Sequence, residues 1–331
     1  MEQPPKPIIA PEKASETQEG EVTYDLESGA HIRLQYKEFT PEKNENIEER
    51  FESTVIFLPG WEVGAHDPST ERIGMTFAAS SKTEVFAITS ASEKIGTFDE
   101  DGGASDMLYQ EAIAISKFIQ EKQFKDVTLV GYSIGGNKAI DIAHILQADP
   151  GLKINGLVLL ASVGLYAQTP RELTGNLLKD SFVRTPKNLL EQDPQGFKKW
   201  FQVATDVGTH LAKNVVGGRG NIGKLRQGIT EMARINPRIG EIKVPVVLIS
   251  GSNDAVTDAE KLVPSEEDRT TILSRAKYLN ENLFTQSPYV RMLVPDKMGN
   301  HGLPYFRAES VANASLYLLE RFHRSESDSH T

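Results

Sequence analysis

Val127-Thr128-Leu129-Val130-Gly131-Tyr132-Ser133-Ile134-Gly135-Gly136 is the stretch on which the reading of this chain turns. Its first four residues are apolar or β-branched and suit a strand covered on both faces. Beyond the glycines, Ala139, Ile140, Ala143 and Leu146 fall at helical spacing. Between strand and helix stands Gly-x-Ser-x-Gly, the pattern of a sharp turn that holds a serine exposed at the end of a sheet. Gly131 and Gly135 are glycines because a Cβ there would collide with the neighbouring strand and helix. The helix N-terminus behind Ser133 favours developing negative charge. The five-residue string alone arises by chance in about one chain in ten of this length. The bland alternative is a glycine-rich turn with a capping serine, and the flanking strand and helix count against it.

Outward from this turn, short apolar runs recur at residues 55–58, 85–88, 157–160, 244–249 and 290–294, and residues 31–36 alternate like a half-exposed strand. Helical spacing lies between them: Leu108, Ala112, Ile115 and Ile119; then Ile272, Ala276, Leu279 and Leu283; then Val311, Leu318 and Phe322. Such alternation predicts an α/β fold with a mostly parallel sheet and helices on both faces. It breaks once. Residues 163–242 hold no good strand run, only helical segments punctuated at Thr169-Pro170, Asp193-Pro194, Gly217-Gly218 and Asn236-Pro237. They read as a helical cap over one end of the sheet. The expected organisation is therefore a flexible arm at 1–20, a core from 21–162 and 243–323, the cap at 163–242, and a flexible tail at 324–331.

Composition narrows the function classes. The 331 residues are 39% hydrophobic and 25% charged, enough for a packed core. A net charge of −10 argues against general nucleic-acid binding and docking on anionic lipid. With no cysteine there are no disulfides, thiolate metal sites, iron–sulfur clusters or cysteine nucleophiles. No apolar run reaches the ~18 residues of a membrane span, and the first residues lack a signal-peptide core. A cytoplasmic setting is expected.

A serine nucleophile needs a base. Of the 7 histidines, His301 alone sits in a loop of small residues, Gly299-Asn300-His301-Gly302, after a strand and before the last helix. That places it at the carboxyl edge of the sheet, where α/β folds put their sites. The base needs an orienting acid, and Asp254 directly follows the 244–249 strand at the same edge. Asp258 is the rival, but it reads better as a helix-starting residue. The plain alternatives are a loop histidine for His301 and a turn-forming Asn-Asp pair for Asp254. Two backbone N–H groups should bind the oxyanion: that of Ile134, and that of Trp61 in the loop after the 55–58 strand. The Trp61 indole can equally be a core aromatic. No histidine pair has i, i+4 spacing with an intervening glutamate, so no metal site is expected.

The Pro59-Gly60-Trp61 loop, the 131–135 turn, Asp254 and His301 together resemble the α/β-hydrolase fold superfamily over about residues 25–323. The resemblance implies an eight-stranded, mostly parallel sheet with a helical cap after the sixth strand. Many members carry His-Gly where this chain has Pro59-Gly60, and there is no Gly-Gly-Gly run, so the lipase-like branch with that signature is not indicated. The nucleophile is Ser rather than Asp, which disfavours dehalogenase or epoxide-hydrolase chemistry. The expected activity is that of a cofactor-free serine hydrolase acting on a small-molecule acyl bond, first a carboxylic ester. The rivals are an amide or peptide hydrolase, a thioesterase, a carbon–carbon bond hydrolase, an acyltransferase, and a catalytically silent binding module.

Overall fold

The computed structural model describes residues 16–41, 53–60, 64–81, 83–94, 106–184, 186–187, 198, 201, 204–205, 219–252, 254, 256–295, 301–302 and 307–329. The strands are β1 (Glu16–Asp25), β2 (His31–Thr40), β3 (Thr54–Leu58), β4 (Val85–Lys94), β5 (Asp126–Tyr132), β6 (Lys153–Leu160), β7 (Val246–Ile249) and β8 (Val290–Leu293). The helices are α1 (Pro68–Ser81), α2 (Met107–Glu121), α3 (Ile134–Leu146), α4 (Pro170–Lys179), α5 (Arg219–Met232), α6 (Ile272–Asn282) and α7 (Ala308–Ser329), with single turns at Ala259–Leu262 and Glu266–Arg269.

All eight strands form one sheet in the order β1-β2-β4-β3-β5-β6-β7-β8. The β1–β2 and β2–β4 pairs are antiparallel, and every pair from β4 to β8 is parallel. This is the expected α/β architecture. Along β3 the pleat sends Ile56 and Leu58 to one face and Val55 and Phe57 to the other. Both faces are buried, so the run shows no polar alternation. The first face packs on Ala112 and Ile115 of α2, Ala139 and Ile140 of α3 and Leu279 of α6. The second packs on Ile73 and Phe77 of α1 and Val311 and Leu319 of α7.

Three expected borders are corrected. Residues 16–20, read as part of a flexible arm, are the first half of β1. Only Val22 and Tyr24 of that strand join the core, because β1 is an edge strand pairing with β2 alone. Its acidic residues blunt the free edge, and such a strand carries little apolar signal. Residues 324–329, read as tail, continue α7, with Arg324 paired to Glu320 one turn back. β7 begins at Val246 rather than 244 because Pro245 has no N–H for the ladder.

Between β6 and β7 the chain leaves the sheet at the carboxyl edge. Thr169 opens α4 with a capping box: its Oγ1 accepts from Glu172 N, and Glu172 Oε2 accepts from Thr169 N at 2.9 Å. A π-helical turn, Asp180–Arg184, follows. Leu173 of α4, Met232 of α5 and Ala233 bury against Leu108, Ile134, Val163 and Val256. The Glu231 carboxylate accepts from Met107 N and Leu108 N, both at 3.0 Å, and so caps α2. The outgoing and returning stems are joined: Asn236 N donates to Gly164 O and Gln168 N to Ala233 O, each at 2.8 Å. Of the large apolar residues in this excursion, Leu189, Leu190, Phe197, Trp200 and Val203 lie outside the described residues, and Phe201 is exposed.

Candidate active site

β5 runs straight into the turn. Ser133 has φ 55° and ψ −117°, a left-handed conformation that a non-glycine residue adopts only where its surroundings force it. The forcing bonds are visible. Ser133 N donates to Leu160 O at 2.9 Å, and Ser133 O accepts from Gly136 N at 3.1 Å and Val163 N at 3.2 Å. The glycines let α3 sit against the sheet. A Cβ on Gly135 would lie 2.1 Å from Leu58 O, and one on Gly131 2.4 Å from Gly135 O. Both obstacles are backbone atoms, which cannot swing aside as a side chain would. Gly135→Ala should therefore cost about 3 kcal/mol of stability, at the upper end of overpacking effects. A urea midpoint equal to that of the wild type would contradict this close packing.

The structure brings Ser133, His301 and Asp254 together, although they are far apart in sequence. His301 Nε2 lies 2.9 Å from Ser133 Oγ, and His301 Nδ1 lies 3.1 Å from Asp254 Oδ2. All three are buried, at 5%, 7% and 3% exposure for Ser133, His301 and Asp254, so they act on one another with little screening by water. Asp254 follows β7, and its Oδ1 accepts from Val256 N at 2.8 Å and Thr257 N at 3.0 Å. Its Oδ2 accepts from Thr257 Oγ1 as well as facing His301. An ionised carboxylate only accepts, so the proton sits on Nδ1 and leaves Nε2 to accept from the serine hydroxyl. Burial works against the imidazolium, but the charge of Asp254, its hydrogen bond and the charge of Asp180 hold the His301 pKa above its ordinary value. Burial likewise opposes the Asp254 carboxylate, but His301 and the Thr257 donors hold its pKa below its ordinary value.

A sequence profile described as "Serine aminopeptidase, S33" matches residues 103–274, just over half of the chain and the part that carries the Ser133 turn and Asp254. The chain belongs to this family of hydrolases. Solved structures extend the likeness to nearly its whole length. A bromoperoxidase from Bacillus anthracis superposes with a TM-score of 0.56 at 15% identity, covering 91% of this chain and 100% of its own. A protein from Chitinophaga pinensis with the α/β-hydrolase fold gives 0.53 at 15% identity, covering 90% and 96%. An esterase from Exiguobacterium antarcticum gives 0.51 at 17% identity, covering 90% and 98%. At such identities the likeness is one of fold: this S33 chain has the α/β-hydrolase fold.

The remaining sequence expectations divide. Ile134 opens α3, so its N–H belongs to a first turn that has no acceptor within the helix. Trp61, the expected second donor, lies outside the described residues, as do Asn300 and Gly299 beside His301. Asp258 caps the 259–262 turn, accepting from Glu260 N at 2.9 Å, in keeping with its helix-starting role. Four other histidines have partners elsewhere: His31 lies against Asp25, His66 near Glu19, His144 near Glu241, and His323 donates to Asn155 O. Three contributors were not singled out from the sequence. Thr257 could have been found as a hydroxyl three residues after a turn-forming Asp. Tyr132, whose hydroxyl donates to His301 O at 3.0 Å, and Asp180, which accepts from His301 N at 2.9 Å, leave no sequence signal. Among the described residues no cluster of three or more His, Cys, Asp or Glu could hold a metal ion, and no helix is long and apolar enough to cross a membrane.

Proposed function

We propose that this hydrolase cleaves a carboxylic ester of a small molecule through a covalent acyl-enzyme. The observation that carries the reading is the chain of contacts from Ser133 Oγ through His301 to Asp254. Ser133 Oγ attacks the carbonyl carbon while His301 Nε2 takes its proton. The carbonyl oxygen becomes an oxyanion, bound by the N–H groups of Ile134 and Trp61. Collapse breaks the bond to the alcohol, which leaves with the proton from His301. Water then attacks the acyl-enzyme, giving its proton to His301, and the acid departs as that proton returns to Ser133. Asp254 holds the imidazole tautomer and stabilises the imidazolium at each step. The family description favours one second reading, since the same steps release an amine when the bond is an amide.

The first test is labelling by a fluorophosphonate, which reacts with an activated serine whatever the substrate. The wild type should label and Ser133→Ala should not; a folded wild-type protein that fails to label ends the reading in favour of a silent binding module. Hydrolysis of p-nitrophenyl esters of rising chain length beside aminoacyl p-nitroanilides then separates ester from amide. The sign of the His301 shift sets the pH profile. His301 must be neutral to act as base, and its raised pKa keeps it protonated further up the scale. The acid limb of kcat/KM should therefore have its midpoint above about 6.5, the ordinary histidine value. A midpoint below that value would mean that Asp254 does not govern this histidine.

A further inference from the structure

We propose that Asp180, a carboxylate of the cap, is a positioning residue for the base: it clamps the His301 backbone and adds a second negative charge beside the imidazole. The inference rests on the reading of His301 as the base. Asp180 stands at the junction of α4 and the π-helical turn and is 1% exposed. Its Oδ2 accepts the His301 N–H at 2.9 Å, while Tyr132 from β5 donates its hydroxyl to the His301 carbonyl at 3.0 Å. The peptide on each side of the histidine is thus held, one side by the cap and the other by the strand that leads into Ser133. The imidazole is held separately, by Asp254 and Ser133. A residue fixed at both backbone and ring has little freedom to swing from the serine.

The second part of the role is electrostatic. Among the described residues, the ionisable groups acting on or touching this histidine are Asp254 after β7, Asp180 on the π turn and Tyr132 on β5, with Arg184 of the same turn acting on Asp180. Two are carboxylates, and both favour a charged imidazole. Burial, then repulsion by Asp254, push the Asp180 carboxyl up to about 6, with His301 and Arg184 acting the other way. At neutral pH Asp180 is mostly ionised and its charge is available to the imidazolium that forms in each transfer step. Because the group belongs to the cap, displacement of the cap would remove both the clamp and the charge. The cap is thereby wired to the base.

Asp180→Asn and Asp180→Ala in the full chain separate the two parts. Asparagine keeps an oxygen for the His301 N–H but loses the charge; alanine loses both. With the wild type and both variants, the His301 imidazole is titrated by NMR, and fluorophosphonate inactivation is followed from about pH 5 to pH 9. In Asp180→Asn the His301 titration and the acid limb of inactivation should both move down by about one pH unit. In Asp180→Ala the same movement should come with an inactivation rate about tenfold below that of Asp180→Asn, the part that the amide oxygen rescues. An unmoved His301 titration in both variants overturns the inference, even if the alanine variant is slow, since Asp180 would then be a structural prop. Equal rates in the two variants overturn the clamp. If the wild type does not react with the probe at all, the hydrolase reading fails, while the NMR titration still decides whether Asp180 acts on His301.

Discussion

Ser133→Ala is expected to fold normally and to lose about 10⁶-fold in kcat, the scale of loss that accompanies removal of such a serine. The loss is chemical because little else depends on the hydroxyl. The backbone bonds that hold the turn, from Ser133 N to Leu160 O and from Val163 N and Gly136 N to Ser133 O, involve no side-chain atom. Alanine keeps the Cβ that already sits at positive φ, so the conformational strain is nearly unchanged. His301 Nε2 loses its donor but keeps Asp254 on the other side of the ring. A thermal melt beside the turnover measurement separates the two possibilities. Near-wild-type hydrolysis by a well-folded Ser133→Ala protein would falsify the assignment of the nucleophile.

The next largest effect belongs to Asp254→Asn, about 10⁴-fold in kcat with the fold retained. The hydrogen bonds explain why an isosteric change should be so costly. Oδ1 accepts from two backbone donors, Val256 N and Thr257 N, so in asparagine that position must be the amide oxygen. The NH₂ group then falls where Oδ2 stood, facing His301 Nδ1. Donor meets donor unless the imidazole proton moves to Nε2, and a protonated Nε2 cannot accept from Ser133. Asp258→Asn is the control. It exchanges one good N-cap for another and should change turnover by less than about twofold. Were the two substitutions to exchange effects, the orienting acid would be Asp258. Measuring kcat for both on the preferred substrate settles the choice.

The parts of this molecule that could be read from its sequence share a physical property: local residues determine them. The 127–136 stretch carries strand, turn and helix within one window. Asp254 and His301 each come after an apolar run, so the carboxyl edge of the sheet was their expected place, and there His301 meets Ser133 on one side of its ring and Asp254 on the other. Elements fixed from afar stayed hidden. β1 is a strand because β2 offers it a ladder, and its own residues are mostly charged or polar. α1 begins at Pro68 in a run rich in turn residues, and its helical character rests on Ile73, Phe77 and Ala78 finding the sheet. Asp180 comes to His301 only through the path of the cap, and no window of sequence contains both.

The joined stems of the cap have a bearing on how such a protein can change. Residues 164–168 and 233–236 are bonded to each other where the excursion leaves and returns, so the sheet meets a closed root rather than two loose ends. Whatever lies beyond the root is, for the sheet, a loop already closed. Lengthening a flexible loop adds only about 0.6 kcal/mol for each doubling. Insertions, deletions and exchange beyond residue 168 should therefore be tolerated where they keep the packing of Leu173 and Met232 and the Glu231 contacts with the start of α2, a natural graft point from which lineages could acquire new selectivity while inheriting the same chemistry. The exception is the turn that carries Asp180: a transplanted cap that brings no carboxylate to that position would have to find another anchor for His301.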